Sequence, residues 1–240
     1  MVEQSHRIRL NLLTEPSGNP KTHKSLKMGY LTAGLHLAPA NESRIVNMCP
    51  AHSAGCAAAC IYHAGRAAFA PQVKLARIER TRMLAEEPRL FWAMLRTDLL
   101  LLQRAATRHG LLPAVRLNVT SDVAWERRSS DTDGAFSIVE EHPLIQFYDY
   151  TKRPGRVTPP NYHLTFSRSE TNGRVARREL ERGRNVAVVF ANRVPGIWED
   201  WPVIDGDDHD CRWLDPQGVV VGLLAKGKRA KTDQSGFVVR

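Results

Sequence analysis

The chain has no apolar run near the roughly eighteen residues that a membrane-crossing helix needs; segments 99–102 and 219–225 are core-length only, so no membrane partner is expected. It lacks a leader pattern as well, because residues 1–11 are interrupted by Glu3, His6, Arg7 and Arg9, and a reducing cytoplasm is therefore expected. Internal repeats, low-complexity tracts and an extended polar linker are also missing, which argues against an array of domains. The five tryptophans are irregularly spaced and offer no platform for stacked bases. The acidic stretch 205–210 lacks the spaced ligands and closing Glu of an EF-hand, so it reads as a tight Asp-Gly turn between strands rather than a calcium loop.

Cysteine is scarce too, but three of the four fall between positions 49 and 60, in the order C-x6-C-x3-C. Cys56 and Cys60 stand four apart in an alanine-rich run, so in a helix both thiols project from one face, and Cys49 can fold back over them. A structural zinc site wants four ligands, and only His52 or His63 is near enough in sequence to complete one. An iron-sulfur cluster of the [4Fe-4S] type on three cysteines keeps one iron open, and this is the expected cofactor, with zinc and plain buried cysteines as alternatives. The remote Cys211 reads as a lone thiol.

The formal charge is +9, with basic stretches at 74–108 and 152–184 and in the tail from Lys226, against an acidic stretch at 199–215. Nucleic acid, a nucleotide or another polyanion is the partner such a field implies; solvated surface helices are the alternative. Segment 29–38 reads as a strand, two helical patterns follow Pro71 and Pro88, and Gly110 stops the second. Beyond it come a strand at 114–119, a short helix at 136–141, strands at 144–150 and 162–167, a helix at 175–182 and a strand at 185–190. This alternation predicts an α/β fold with a mainly parallel sheet, either a partial (β/α) barrel or an open sheet. An α/β domain is expected over 1–197, and a small C-terminal β appendage packed on it over 198–240.

Parallel strands carry function where they end. Three consecutive strands run out into polar clusters: Thr120, Ser121 and Asp122; Asp149, Tyr150, Thr151 and Lys152; and Ser167, Arg168, Ser169 and Glu170. Asp122 and Asp149 are candidate acids or bases, Lys152 a phosphate partner, and Ser167 a ligand-orienting hydroxyl, with Asn118 at the end of its strand in the same cavity. Arg66, after Gly65, is placed beside the cysteines. Taken singly, such residues also serve as caps and turn formers.

Cys49-Pro50, Cys56-x3-Cys60, Gly65-Arg66, Val115-Arg116-Leu117-Asn118 running to Asp122, Phe147 to Lys152 and Pro160 to Ser167 together resemble the phage proteins called gene product eighty-eight. The tail motifs around Pro202–Asp207, Leu214–Leu223 and Ser235–Val239 are similar to that group as well. The resemblance implies a viral or prophage origin, hence a bacterial host cytoplasm, and implies no reaction. A more distant likeness is to radical SAM enzymes, which place a three-cysteine cluster after the first strand of a partial barrel. Here Cys56-x3-Cys60-x-Tyr62 matches part of that pattern, with Cys49 as third thiol and no glycine-rich motif following.

The sequence thus predicts an iron-sulfur protein, in one form an enzyme acting on a small or nucleotide-like substrate through Asp122, Asp149, Lys152 and Asn118. In its other form it is a metal-stabilised nucleic-acid-binding or regulatory protein without catalysis.

Overall fold

The computed structural model describes residues 9–14, 24–128 and 136–240. Two prolines set the main helices: α2, Pro71–Glu86, and α3, Pro88–Arg108, each begin on Pro at a position whose N–H would be unpaired in any case. In α3 the buried Phe91, Leu95, Leu99, Leu102 and Ala106 recur every three or four residues and pack on the sheet. The helix ends where Gly110 takes φ +67°, a left-handed conformation natural to glycine. A shorter helix, α1, Ala54–Ala58, lies in the cysteine segment; α4, Gly173–Glu181, and α5, Gly227–Lys231, complete the set.

The ten strands are β1, Leu13–Thr14; β2, Tyr30–Leu35; β3, Leu112–Arg116; β4, Gln146–Thr151; β5, Tyr162–Ser167; β6, Val186–Phe190; β7, Ile197–Trp198; β8, Trp201–Asp205; β9, Val220–Leu224; and β10, Val238–Val239. They form one sheet in the order β1-β2-β3-β4-β5-β6-β9-β8-β7. Pairing is parallel from β2 through β9 to β8, and antiparallel only at the two edges, β1 with β2 and β7 with β8. The sheet is open, and the barrel alternative is not what forms.

The expected C-terminal appendage is replaced by integration into this sheet. β9 pairs residue for residue with β6, Val186 with Val220 through Phe190 with Leu224, and its Val220 and Val221 are fully buried. Because β8 and β9 run parallel, residues 206–219 are a crossover, and the expected tight turn at Asp205-Gly206 does not close a hairpin. Gly206 instead donates its N–H to Gly222 O at 2.8 Å, and a Cβ there would stand 2.5 Å from Val221 Cγ1. The helix expected at 136–141 is also only turns. Ser137 and Glu140 do make reciprocal cap-like bonds, Ser137 N–H to Glu140 at 2.8 Å and Glu140 N–H to Ser137 Oγ at 3.3 Å. Pro143 then disfavours the helical conformation at His142, and no helix propagates.

Alternation along β6 separates the two faces. Val186, Val188 and Phe190 pack with Ala176 and Leu180 of α4, while Val189 and the following Ala191 pack with Cys56, Ala59, Ala230 and Phe237. The cysteine segment and the C-terminal residues therefore cover the face opposite α4. β10 joins the same side of β6 as β5 but farther along: β5 pairs with Val186 and Ala187, β10 with Val189 and Phe190.

Candidate functional site

The loop leaving β2 carries all three clustered cysteines, and it is pinned from below. Ser53 caps α1, its Oγ accepting the Cys56 N–H at 3.2 Å and donating to Glu170 at 2.8 Å; Gly55 N–H donates to the other Glu170 oxygen at 2.8 Å. Glycine is required at 55, since a Cβ there would collide with Ser235 Oγ and press on Glu170 at 2.9 Å. Cys49 lies against the end of β3, its thiol directed at Thr120 O at 3.8 Å, and Asp122 N–H donates to Met48 O at 2.8 Å. α2 is tied to the same loop through Thr81, whose Oγ1 accepts the Ala38 N–H at 2.9 Å.

The cysteines are free thiols, Cys49, Cys56 and Cys60 half-buried and Cys211 buried elsewhere, beside Ser25. They share one field. Burial pushes the Cys49 thiol up to about 12, the Ala40 N–H opposes this, and Cys60, Cys56 and Asp122 add to it. Burial likewise pushes Cys60 up; the Tyr62 N–H opposes that, Cys56 adds to it, and Lys152 and Arg77 oppose it. Among the described residues no group of three or more His, Cys, Asp or Glu side chains is gathered as tightly as a single ion requires.

Two cations therefore attend Cys60, and neither has a carboxylate partner among the described residues. Lys152 Nζ donates to Ser167 Oγ at 3.1 Å and stands 5.5 Å from the centre of the Phe237 ring. Arg77 sits 5.4 Å from the centre of the Tyr62 ring, and its buried Nη1 has no hydrogen-bond partner. Burying a charged donor unpaired is costly, and the Tyr62 ring face is the contact that Arg77 has in return.

The other predicted site residues serve as framework. Asp122 accepts from the Thr151 hydroxyl at 2.7 Å, the Lys152 N–H at 2.9 Å and Arg156 at 3.3 Å, thereby buckling the loops after β2, β3 and β4 together. Asn118 and Asp149 lie a layer deeper. Asp149 is fully buried and accepts from Asn118 N–H at 2.6 Å, Asn118 Nδ2 at 3.1 Å and the Tyr162 hydroxyl at 2.7 Å. Asn118 Oδ1 takes Ser121 Oγ, Val123 N–H and Trp125 Nε1 at 2.8 to 3.0 Å. Arg156 closes the network on Glu126 and Tyr162. Burial raises Asp149 to about 7, against the pull of the Tyr162 hydroxyl, Arg116, the Asn118 N–H and Arg156.

Cys49, Cys56, Cys60, Asp122, Lys152 and Ser167 are thus brought to one carboxyl edge of the sheet. Asn118 and Asp149 sit beneath it, buried, and Arg66 is exposed and is not among the charges that act on Cys49 or Cys60. The residues that the sequence did not single out for this edge are Arg77, Glu170, Arg156 and Phe237. Of these Glu170 carried a signal, as the last member of the third strand-end cluster, and Phe237 lay in the tail motif Ser235–Val239, whereas Arg77 and Arg156 carried none.

Comparison with known proteins places a family model described as Gene product 88 on residues 11–240. No curated protein and no solved structure matches the chain. The radical SAM likeness finds no support in these comparisons, and the open sheet adds none.

Proposed function

Starting from the fact that the chain belongs to the Gene product 88 family of phage gene products, we propose that it is an iron-sulfur protein whose Cys49, Cys56 and Cys60 thiolates hold a cluster beside a substrate edge. The observation that carries this reading is the pair of uncompensated cations at Cys60: Lys152, held only by a hydroxyl and a ring face, and Arg77, with a buried Nη1 lacking a partner. Neutral thiols would leave both charges unanswered, whereas thiolates carrying a cluster supply the missing negative charge.

A bound cluster would supply an open iron, able to bind a substrate atom or pass an electron. Lys152, fixed by Ser167, would direct its ammonium at the anionic part of a small or nucleotide-like ligand on that edge. Asp122 would keep Lys152 in place through its backbone N–H, acting as a positioning residue. A second reading, a metal-stabilised nucleic-acid-binding protein without catalysis, is favoured by one observation: Asp122, Asn118 and Asp149 are all committed to internal hydrogen bonds, which leaves no free general base among them.

Anaerobic purification followed by iron, sulfide and zinc analysis tests the cluster. Iron and sulfide are expected with the wild-type chain, lost on Cys56→Ser and Cys60→Ser, and retained on Cys211→Ser. Zinc alone, or iron unchanged by Cys56→Ser, overturns it.

A further inference from the structure

We infer that the surface beside the cysteine loop binds single-stranded nucleic acid, with Phe69 as the stacking ring and Lys74, Lys228 and Arg229 as phosphate contacts. Phe69 is 77% exposed, although it sits in an ordered corner. Its N–H donates to Arg66 O at 3.2 Å, Ala70 N–H donates to the same oxygen at 2.9 Å, and Pro71 starts α2 immediately after. The backbone that carries the ring is thus tied by hydrogen bonds on one side and by the start of α2 on the other. A phenyl displayed this way offers a face to any base, at little ordering cost.

Cations come to this stretch of chain from two elements. Lys74 stands 5.6 Å from the centre of the Tyr62 ring, next to Arg77 on the same ring. α5 is docked onto this corner: Gly227, at φ +80°, lies so close that a Cβ would stand 2.9 Å from Ala64 Cβ. That contact brings Lys228 and Arg229 to the cysteine segment; burial lowers the His63 pKa, and Arg229 and, more weakly, Lys74 push it the same way. Arg82 is answered by Glu79 at 2.9 Å and Lys226 by Asp207 at 2.7 Å, whereas Lys74, Lys228 and Arg229 have no carboxylate partner among the described residues. Cations without carboxylate partners among the described residues, on the same segment as an exposed ring, match a chain of phosphates with unstacked bases, and a duplex would hide the base faces that the ring would use.

This inference rests on the proposed function only in placing the strand beside a cluster, and binding is read without metal. Fluorescence anisotropy of a labelled single-stranded oligonucleotide, with its duplex as comparison, gives affinity against salt. Binding should weaken linearly in log salt, by about 0.7 in slope per phosphate contacted. Lys74→Ala and Arg229→Ala should each reduce that slope, while Arg108→Ala, an exposed change at the far end of α3, should not. Phe69→Ala should weaken binding about 5- to 150-fold with the slope unchanged. The inference is overturned by undetectable binding at low salt, by equal affinity of Phe69→Ala and wild type, or by anionic lipid vesicles competing as well as the oligonucleotide. Oligonucleotide binding by a chain that holds no iron would sink the proposed function and leave this inference standing; iron without binding would do the reverse.

Discussion

Replacing Asp149 by Asn changes the carboxyl at the bottom of the site while leaving its shape. The side chain is fully buried, and burial raises its pKa from 3.8 to about 7 although three donors point at it. Between those two values the folded chain keeps a proton that the unfolded chain has lost, so stability contributed by this group is full below about pH 4 and disappears as pH rises through about 7. The interval corresponds to roughly 4 kcal/mol. An amide cannot ionise, so the variant lacks this dependence. At pH 4.5 it should be less stable than wild type by about 1 to 3 kcal/mol, because its NH2 faces the Asn118 and Tyr162 donors. That deficit should shrink by about 1.4 kcal/mol per pH unit and reverse between about pH 5 and pH 7, so that at pH 8 the variant is the more stable chain. Urea unfolding of both chains between pH 4.5 and pH 8 reads the difference, in which all other titrating groups cancel. A deficit that stays constant or grows with pH refutes the reasoning: it would mean that the donors hold the carboxylate charged and that burial does not dominate.

Other expectations follow from single contacts. Glu170→Gln leaves one of two donors, Ser53 Oγ or Gly55 N–H, facing an amide NH2; hydrogen exchange at the Gly55 and Cys56 amides should quicken by about 5- to 30-fold, a loss of about 1 to 2 kcal/mol. Asn118→Ala removes the acceptor for Ser121, Val123 and Trp125 and should cost about 3 to 5 kcal/mol in urea unfolding. Gly222→Ala would set a methyl 2.9 Å from Val203 Cγ1 and 3.3 Å from Ile204 O; about 1 to 3 kcal/mol and a fall in Tm of about 2 to 12 °C are expected.

The period of the apolar residues made α3 legible, and runs of aromatic and β-branched residues gave β5 and β6 nearly to their ends. Pairing was another matter. Nothing local tells β9 to lie beside β6, which precedes it by 34 residues at Val186 and Val220, and the Asp-rich segment between β8 and β9 imitates a hairpin turn. α2 misleads in a different way. Leu75, apolar and apparently inward, is 58% exposed, while Thr81 is fully buried and the Arg77 Nη1 is enclosed. The cysteine spacing drew attention to the loop after β2, and the strand-end rule picked out Asp122, Lys152 and Ser167, which lie at the same edge as that loop. The cation facing Cys60 from α2 stayed hidden because a charged residue on a helix reads as solvent-facing until the fold turns it inward.

The placement of β10 has a consequence for synthesis. Phe237 flanks Lys152, Ser235 abuts Gly55, and Arg168 donates to Gly236 O at 2.6 Å, so one wall of the cysteine edge is made of residues translated long after the cysteines. At about 5 to 20 residues per second, Cys60 leaves the ribosome roughly ten to thirty-five seconds before Phe237. During that interval Cys56 and Ala59 have no Phe237 or Val238 to pack against. The nascent chain thus leaves Cys56 and the neighbouring thiols uncovered on this face, and the edge is walled only when β10 joins β6.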